Sequence, residues 1–150
     1  MIDQLDQDTQ RKIEGMLLAG ERVALPFNNQ ELHPGKGHVF GLGILNTDPD
    51  KTNFYINLEA GPATKPDGSE IAPGENKFRE KSPWLLTAEQ EIGNDQQKTI
   101  TIMVAVPRGT QMGTYVINVY VCSDAKELIS CSSNSNKLYD VVQKIYITVP

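Results

Sequence analysis

The chain has 150 residues, 39% of them hydrophobic, and a formal net charge of −5. Its length suits one domain with a substantial core. The acidic balance argues against non-specific binding to nucleic acid and against a basic membrane-surface helix, because both need clustered lysine and arginine.

The first predicted element is a helix over residues 2–18. Apolar side chains recur there at intervals of three and four residues, Asp residues crowd its start, and Gly20 follows its end. Two interpretations stay open: a helix that covers the core, or the outer end of a longer helix that continued into a membrane. No apolar stretch reaches the ~18 residues of a membrane span. We therefore divide the chain into an N-terminal helix, residues 1–20, and a folded domain, residues 21–150.

After the helix the hydrophobic period changes to two, which is typical of strands. Residues 22–27 predict a short strand, and residues 38–46 and 53–60 predict two strands paired as a hairpin. Gly41 and Gly43 share one face of the first of these strands, which indicates either a closely packed neighbour or a bulge.

Residues 61–83 carry four prolines and three glycines without clear periodicity. Such long segments are usually functional or mobile. We expect one short edge strand in it, around Lys77–Arg79.

The strongest alternation lies in three later runs, 99–106, 114–122 and 141–149. Their predicted inward residues are Ile100, Ile102, Val104, Val106, Tyr115, Ile117, Val119, Val121, Ile145, Ile147 and Val149. Strands with one apolar face and little helix between them predict an antiparallel sandwich or barrel.

The segment VPRGTQMGTYVINVYVC, residues 106–122, resembles the penultimate hairpin of immunoglobulin-like and fibronectin-III-like domains in prokaryotic surface proteins. Its Tyr115 resembles a tyrosine-corner residue, whose hydroxyl bonds back to nearby backbone. GILNTDPDKTNFYINLE, residues 43–59, resembles the early hairpin of the same domains. The resemblance covers residues 37–150, with a poor match across 61–83. It implies an immunoglobulin-like antiparallel β-sandwich of about seven strands.

A helix that leads into such a sandwich also resembles the ectodomains of single-pass archaeal proteins, among them accessory subunits of the archaellum and type-IV-pilin-like surface proteins. This resemblance rests on the order of elements. It implies a domain at the cell surface, outside the cytoplasm, that is tethered by an anchor preceding residue 1.

The two cysteines, Cys122 and Cys131, flank the polar loop of CSDAKELISC without the spacing of a CxxC or zinc motif. They are either two free buried thiols or a disulfide. We predict the disulfide, because the loop has little apolar material to hold it and the bond would stabilise by roughly 2–3 kcal/mol. A disulfide implies an oxidising compartment.

Residues with catalytic or metal-binding potential are scattered. Glu31, His33 and His38 include an H-x4-H pattern, but a turn is the simpler interpretation because Pro34 and two glycines exclude a helix. Acidic residues in 48–50 and 66–70 have the oxygens that calcium prefers but not an EF-hand spacing. We predict no catalytic residues, no cofactor and no metal, and hence that the protein is not an enzyme.

Binding through loops and strand edges is therefore the predicted activity. Phe78, Arg79 and Trp84 are the predicted partner-binding residues, because aromatics and arginine are enriched at interface hot spots; burial of Trp84 in the sandwich is the competing interpretation. We expect a non-catalytic interaction or structural module that binds a protein partner, or itself, through strand edges. The alternatives are a carbohydrate-binding module that uses Trp84, Tyr120 and Tyr146, and a small hydrolase with a polar cleft.

Overall fold

The computed structural model describes residues 7–49, 52–79, 90–123 and 138–150. These residues form one helix, α1 (Gln7–Leu18), and eight strands. The strands are β1 (Val23–Ala24), β2 (Asn29–Glu31), β3 (Gly37–Leu45), β4 (Thr52–Thr64), β5 (Gln90–Ile92), β6 (Gln97–Ala105), β7 (Gly113–Ser123) and β8 (Gln143–Val149).

The strands form two sheets that enclose the main core. One sheet has the order β1-β3-β6, and the other has the order β2-β8-β7-β4-β5. All pairs are antiparallel except β2 with β8. The predicted antiparallel sandwich with an N-terminal helix is therefore confirmed, with eight described strands against the seven or so expected.

The predicted inward faces of the last three strands are confirmed. Ile102, Ile117 and Ile145, one from each of β6, β7 and β8, are at most 1% exposed. They pack in one continuous core with the apolar face of β4. The alternation arises because successive side chains of a strand point to opposite faces and only one face of each sheet meets the core.

The two predicted hairpins are wrong. β3 pairs with β1 and β6, whereas β4 pairs with β5 and β7, so β3 and β4 lie in opposite sheets. In the same way, β6 and β7 are joined by a connection that crosses from one sheet to the other. Both sheets face one core, so strands on either side of it show the same alternation whichever neighbour they bond.

The chain also changes sheets between β1 and β2. Phe27 lies in this short connection with a φ of 52°, in the left-handed region that bulky residues seldom adopt. β2 then runs parallel to β8, with Asn29 opposite Tyr146. This pairing covers the outer edge of β8.

The predicted edge strand at Lys77–Arg79 is wrong, because these residues form a 3₁₀ turn. The Asn76 Oδ1 accepts a hydrogen bond of 3.0 Å from the Phe78 N–H, and the Asn76 carbonyl accepts one of 3.1 Å from the Arg79 N–H. The turn places Phe78 in the main core, where Ile71 is also buried.

Helix α1 packs on the outer face of the three-stranded sheet at Gly43. Ile13 and Leu17 are the buried residues of the helix, and a Cβ placed on Gly43 would collide with the Ile13 side chain. β3 pairs with β6 in unbroken register, so the glycine serves close packing and not a bulge. Residues 2–6 of the predicted helix lie outside the described ranges. Within those ranges, none of the helical segments has both the length and the apolar character needed to span a membrane.

We expect Gly43→Ala to destabilise the protein by about 1–3 kcal/mol, the usual cost of overpacking. Gly15→Ala is the matched control, because Gly15 lies in α1 with nothing within 4 Å of its Cβ position. That change should stabilise by about 0.5–1 kcal/mol through helix propensity. Urea unfolding of both variants measures the two effects, and equal shifts would show that α1 does not pack on Gly43.

Candidate partner-binding surfaces

The tyrosine corner fixes the start of β7. The hydroxyl of Tyr115 donates a hydrogen bond of 2.7 Å to the carbonyl oxygen of Gln111, and the ring is 1% exposed. Burial raises the pKa of the Tyr115 hydroxyl above its ordinary value, so the hydroxyl remains a neutral donor further into the alkaline range than a free tyrosine. Gly113 opens the strand with a φ of 154°, where any Cβ would strike the carbonyl of Thr64. The predicted tyrosine corner is confirmed.

Within the described residues, the whole length of β6 forms one strand edge that no further strand covers. This strand has nine residues and forms the end of the three-stranded sheet, bonded on one side to β3. Thr99, Thr101 and Met103 are exposed on its outer face. Natural edge strands usually carry charges, prolines or bulges that prevent pairing. β6 has one charged residue, Lys98, and neither a proline nor a bulge.

The other described edges are shorter or interrupted. The part of β4 beyond Phe54 also lacks a second strand among the described residues, but it contains Pro62 and the irregularity between Ala60 and Ala63. β2 and β5 close the five-stranded sheet and have three residues each, and β1 has two. Short strands present few unpaired N–H and C=O groups to an incoming strand. β6 is therefore the described edge best suited to pairing with another chain.

The predicted partner-binding residues have different environments. Phe78 is 0% exposed, with its ring centroid 5.1 Å from that of Tyr115, so its side chain contributes core packing and offers no surface to a partner. Arg79, the next residue, is exposed. Trp84 lies outside the described residues. That Arg79 and Trp84 bind a partner stays a prediction.

Arg79 borders a polar recess of about 370 Å³ beside the irregularity of β4 between Ala60 and Ala63. The polar side chains that line it are Glu59, Glu70, Asn76, Arg79 and Asn118. Glu59 accepts a hydrogen bond of 2.9 Å from the Tyr120 hydroxyl. The buried Asn118 Oδ1 has no hydrogen-bond partner within the part of the chain that the structure describes. The recess has groups that can hydrogen-bond polar groups of a partner, and its residues, scattered over 59–118, gave no pattern in the sequence.

Cys122, predicted for a disulfide, and Tyr120, predicted for a sugar platform, lie near the end of β7. Cys122 and Tyr120 are 0% and 4% exposed and share a small apolar cluster against which Leu138 packs. Cys131 lies outside the described residues, so the disulfide stays a prediction. The buried ring of Tyr120 presents no face to a sugar, and Tyr146 is half-buried.

Two residues of the predicted acidic and histidine sites, Asp67 and His38, make local contacts. Asp67 accepts hydrogen bonds from the Ser69 hydroxyl at 2.6 Å and the Ser69 N–H at 2.9 Å, and these bonds lower the pKa of the carboxyl. His33 is exposed, whereas His38 packs edge-on to Phe40 with 4.8 Å between ring centroids. Three or more metal-ligating side chains do not come together anywhere in the described ranges.

Comparison with known structures assigns the fold. A PapD-like domain of human CEP192 has a TM-score of 0.55 and 12% sequence identity to this chain, covering 86% of this chain and 85% of that one. WR4, an MSP family member of C. elegans, has a TM-score of 0.45 at 4% identity, covering 87% and 99%; the E. coli chaperone DraB has 0.46 at 11%, covering 85% and 55%. No protein-family model and no curated protein sequence matches the chain. The protein has an immunoglobulin-like β-sandwich fold similar to that of PapD-like domains.

Proposed function

We propose that this domain is a non-catalytic interaction module that binds a protein partner by adding a strand to β6. The observation that supports this function is the nine-residue edge of β6, which no strand of the described ranges covers. An extended segment laid along such an edge gains main-chain hydrogen bonds, and side chains of alternate residues supply specificity. Thr99, Thr101 and Met103 would provide those side-chain contacts on the outer face.

The cellular setting belongs to the same proposal. We expect the domain to act outside the cytoplasm, in a membrane-tethered cell-surface or filament assembly of a prokaryote, with the Cys122–Cys131 disulfide formed. The archaellum-like order of elements favours an archaeon. In a tethered protein, the packing of α1 on β3 through Ile13 and Leu17 would keep the start of the described chain close to the three-stranded sheet. Tethering raises the local concentration, so even a weak edge contact suffices in place.

Site-specific crosslinking in cells that express the full-length protein tests this function. A photoreactive residue at Met103, on the outer face of β6, should crosslink to one defined protein species. The same residue at Lys144, exposed on the outer face of the five-stranded sheet, is the control and should not. Thr101→Lys should remove the Met103 crosslink, since a charge on an edge strand opposes pairing.

Other crosslinking results would contradict binding at β6. Equal crosslinking from Met103 and Lys144, or a Met103 crosslink that survives Thr101→Lys, would rule out β6 as the binding edge. The carbohydrate-binding alternative predicts a sugar-dependent change in the environment of Trp84. The hydrolase alternative predicts a measurable hydrolysis that is lost when one acidic loop residue is replaced.

A further inference from the structure

We infer that the partner strand at β6 is β6 of a second copy of this chain, paired antiparallel about a two-fold axis at Thr101. This inference rests on the proposed function, because it names the partner of the same edge. A two-fold interface uses the same patch on both copies, so the patch must be complementary to itself. The residues of β6 meet that requirement.

The register centred on Thr101 pairs all nine residues of the strand. It places Thr101 opposite its own copy, Thr99 opposite Met103, and Gln97 opposite Ala105. Lys98, the one charged residue of β6, then faces Val104. The two lysines lie about 20 Å apart, six residues along the ladder, so no like charges are opposed.

The charges at the two ends of β6 are also complementary. The strand begins beside Asp95, whose N–H bonds to the Asn46 carbonyl, and beside Asp48, whose carbonyl accepts a hydrogen bond from Asn94. It ends beside Lys36, whose carbonyl accepts a 2.8 Å hydrogen bond from the Val106 N–H, and before Arg108.

Antiparallel pairing brings the acidic end of one copy to the basic end of the other. Asp95 falls opposite Pro107 and next to Arg108 of the second copy, and the two-fold axis repeats the contact. These local attractions act against the repulsion between two chains that each carry a net charge of −5. The acidic start and the basic end of β6 belong to the same chain, so a second copy supplies both charges in the required places. For this reason we favour a second copy over an unrelated partner strand.

The test uses the position on the two-fold axis. The purified chain should show a monomer–dimer equilibrium in analytical ultracentrifugation at concentrations up to about 1 mM, comparable to those that tethering produces. Thr101→Lys and Thr101→Asp should each weaken dimerisation about fivefold or more, because like charges would then be directly opposed. An equal mixture of the two variants should recover the dimer, since the opposed charges attract.

Thr148→Lys, on the half-buried outer face of β8, is the control and should leave dimerisation unchanged. The inference would be overturned if the Thr101 substitutions left dimerisation unchanged. It would also be overturned if an equal mixture of Thr101→Lys and Thr101→Asp did not dimerise more strongly than either variant alone. A native chain that stays monomeric would overturn it as well. If a monomeric native chain still loses its Met103 crosslink with Thr101→Lys in cells, the proposed function stands and the partner is a different protein.

Discussion

Phe78→Ala is expected to destabilise the domain by about 3–5 kcal/mol, the usual cost of removing a buried phenylalanine side chain. Phe78 is 0% exposed and packs against Tyr115, the residue that fixes the start of β7. The substitution therefore leaves a cavity beside the tyrosine corner. Domains of this kind are stable by only about 5–15 kcal/mol, so the loss is a large part of the total. Equilibrium urea unfolding measures it directly.

Lys77→Ala is the matched control for Phe78, because Lys77 is exposed in the same 3₁₀ turn. Its effect should stay within about 0.5 kcal/mol. If Phe78→Ala were as mild as Lys77→Ala, the ring would not be part of the core. Phe78 would then again be a candidate for contact with a partner.

Phe78 also shows where reasoning from sequence stops. The predicted inward faces of β6, β7 and β8 were correct because alternation records burial, and burial repeats every second residue in a strand. Residues 61–83 have no such period. Ile71 is buried there where its N–H bonds to the Ala63 carbonyl of β4. Phe78 is buried because a 3₁₀ turn, held by the Asn76 side chain, directs its ring into the core. Such a turn depends on individual hydrogen bonds, and these produce no periodic pattern of hydrophobic residues in the sequence.

Strand pairing was the other part that sequence could not provide. Alternation in β3 and β4 identifies the side chains that face a core, but the same core lies between the two sheets. A hairpin and a crossing between sheets therefore produce the same pattern. β2 is harder still, because its three residues are Asn29, Gln30 and Glu31 and none is buried. Its pairing with β8 depends on main-chain hydrogen bonds, which leave no trace in side-chain polarity.

The candidate site follows from pairing and so shares this limit. That strand edges would be the binding surface was a general prediction for a sandwich. That the edge is β6 depends on β3 taking one side of it and on β2 covering β8. The sequence of β6 does contain one relevant feature, a nine-residue run with a single charge. This run indicates a binding edge only when the strand is known to lie at the edge of a sheet.

Ile102→Ala and Thr101→Ala separate the two roles of β6. Ile102 is 1% exposed in the core, so we expect its replacement to cost about 2–5 kcal/mol. Thr101, the adjacent residue, is exposed on the outer face, and its replacement should change stability by less than about 0.5 kcal/mol. Urea unfolding of both variants at the same protein concentration measures the difference.

The contrast between these neighbours decides how the edge experiments are understood. If Ile102→Ala is costly and Thr101→Ala is not, stability depends on the inward face of β6, and charges placed at Thr101 report on pairing alone. Equal losses at the two positions would show that the assigned faces of β6 are wrong. The effects of Thr101→Lys on crosslinking and dimerisation would then reflect unfolding. Ile102→Ala should instead leave the dimer intact below its unfolding transition, because the hydrogen-bonding edge that a second β6 requires belongs to the backbone and not to the core side chain.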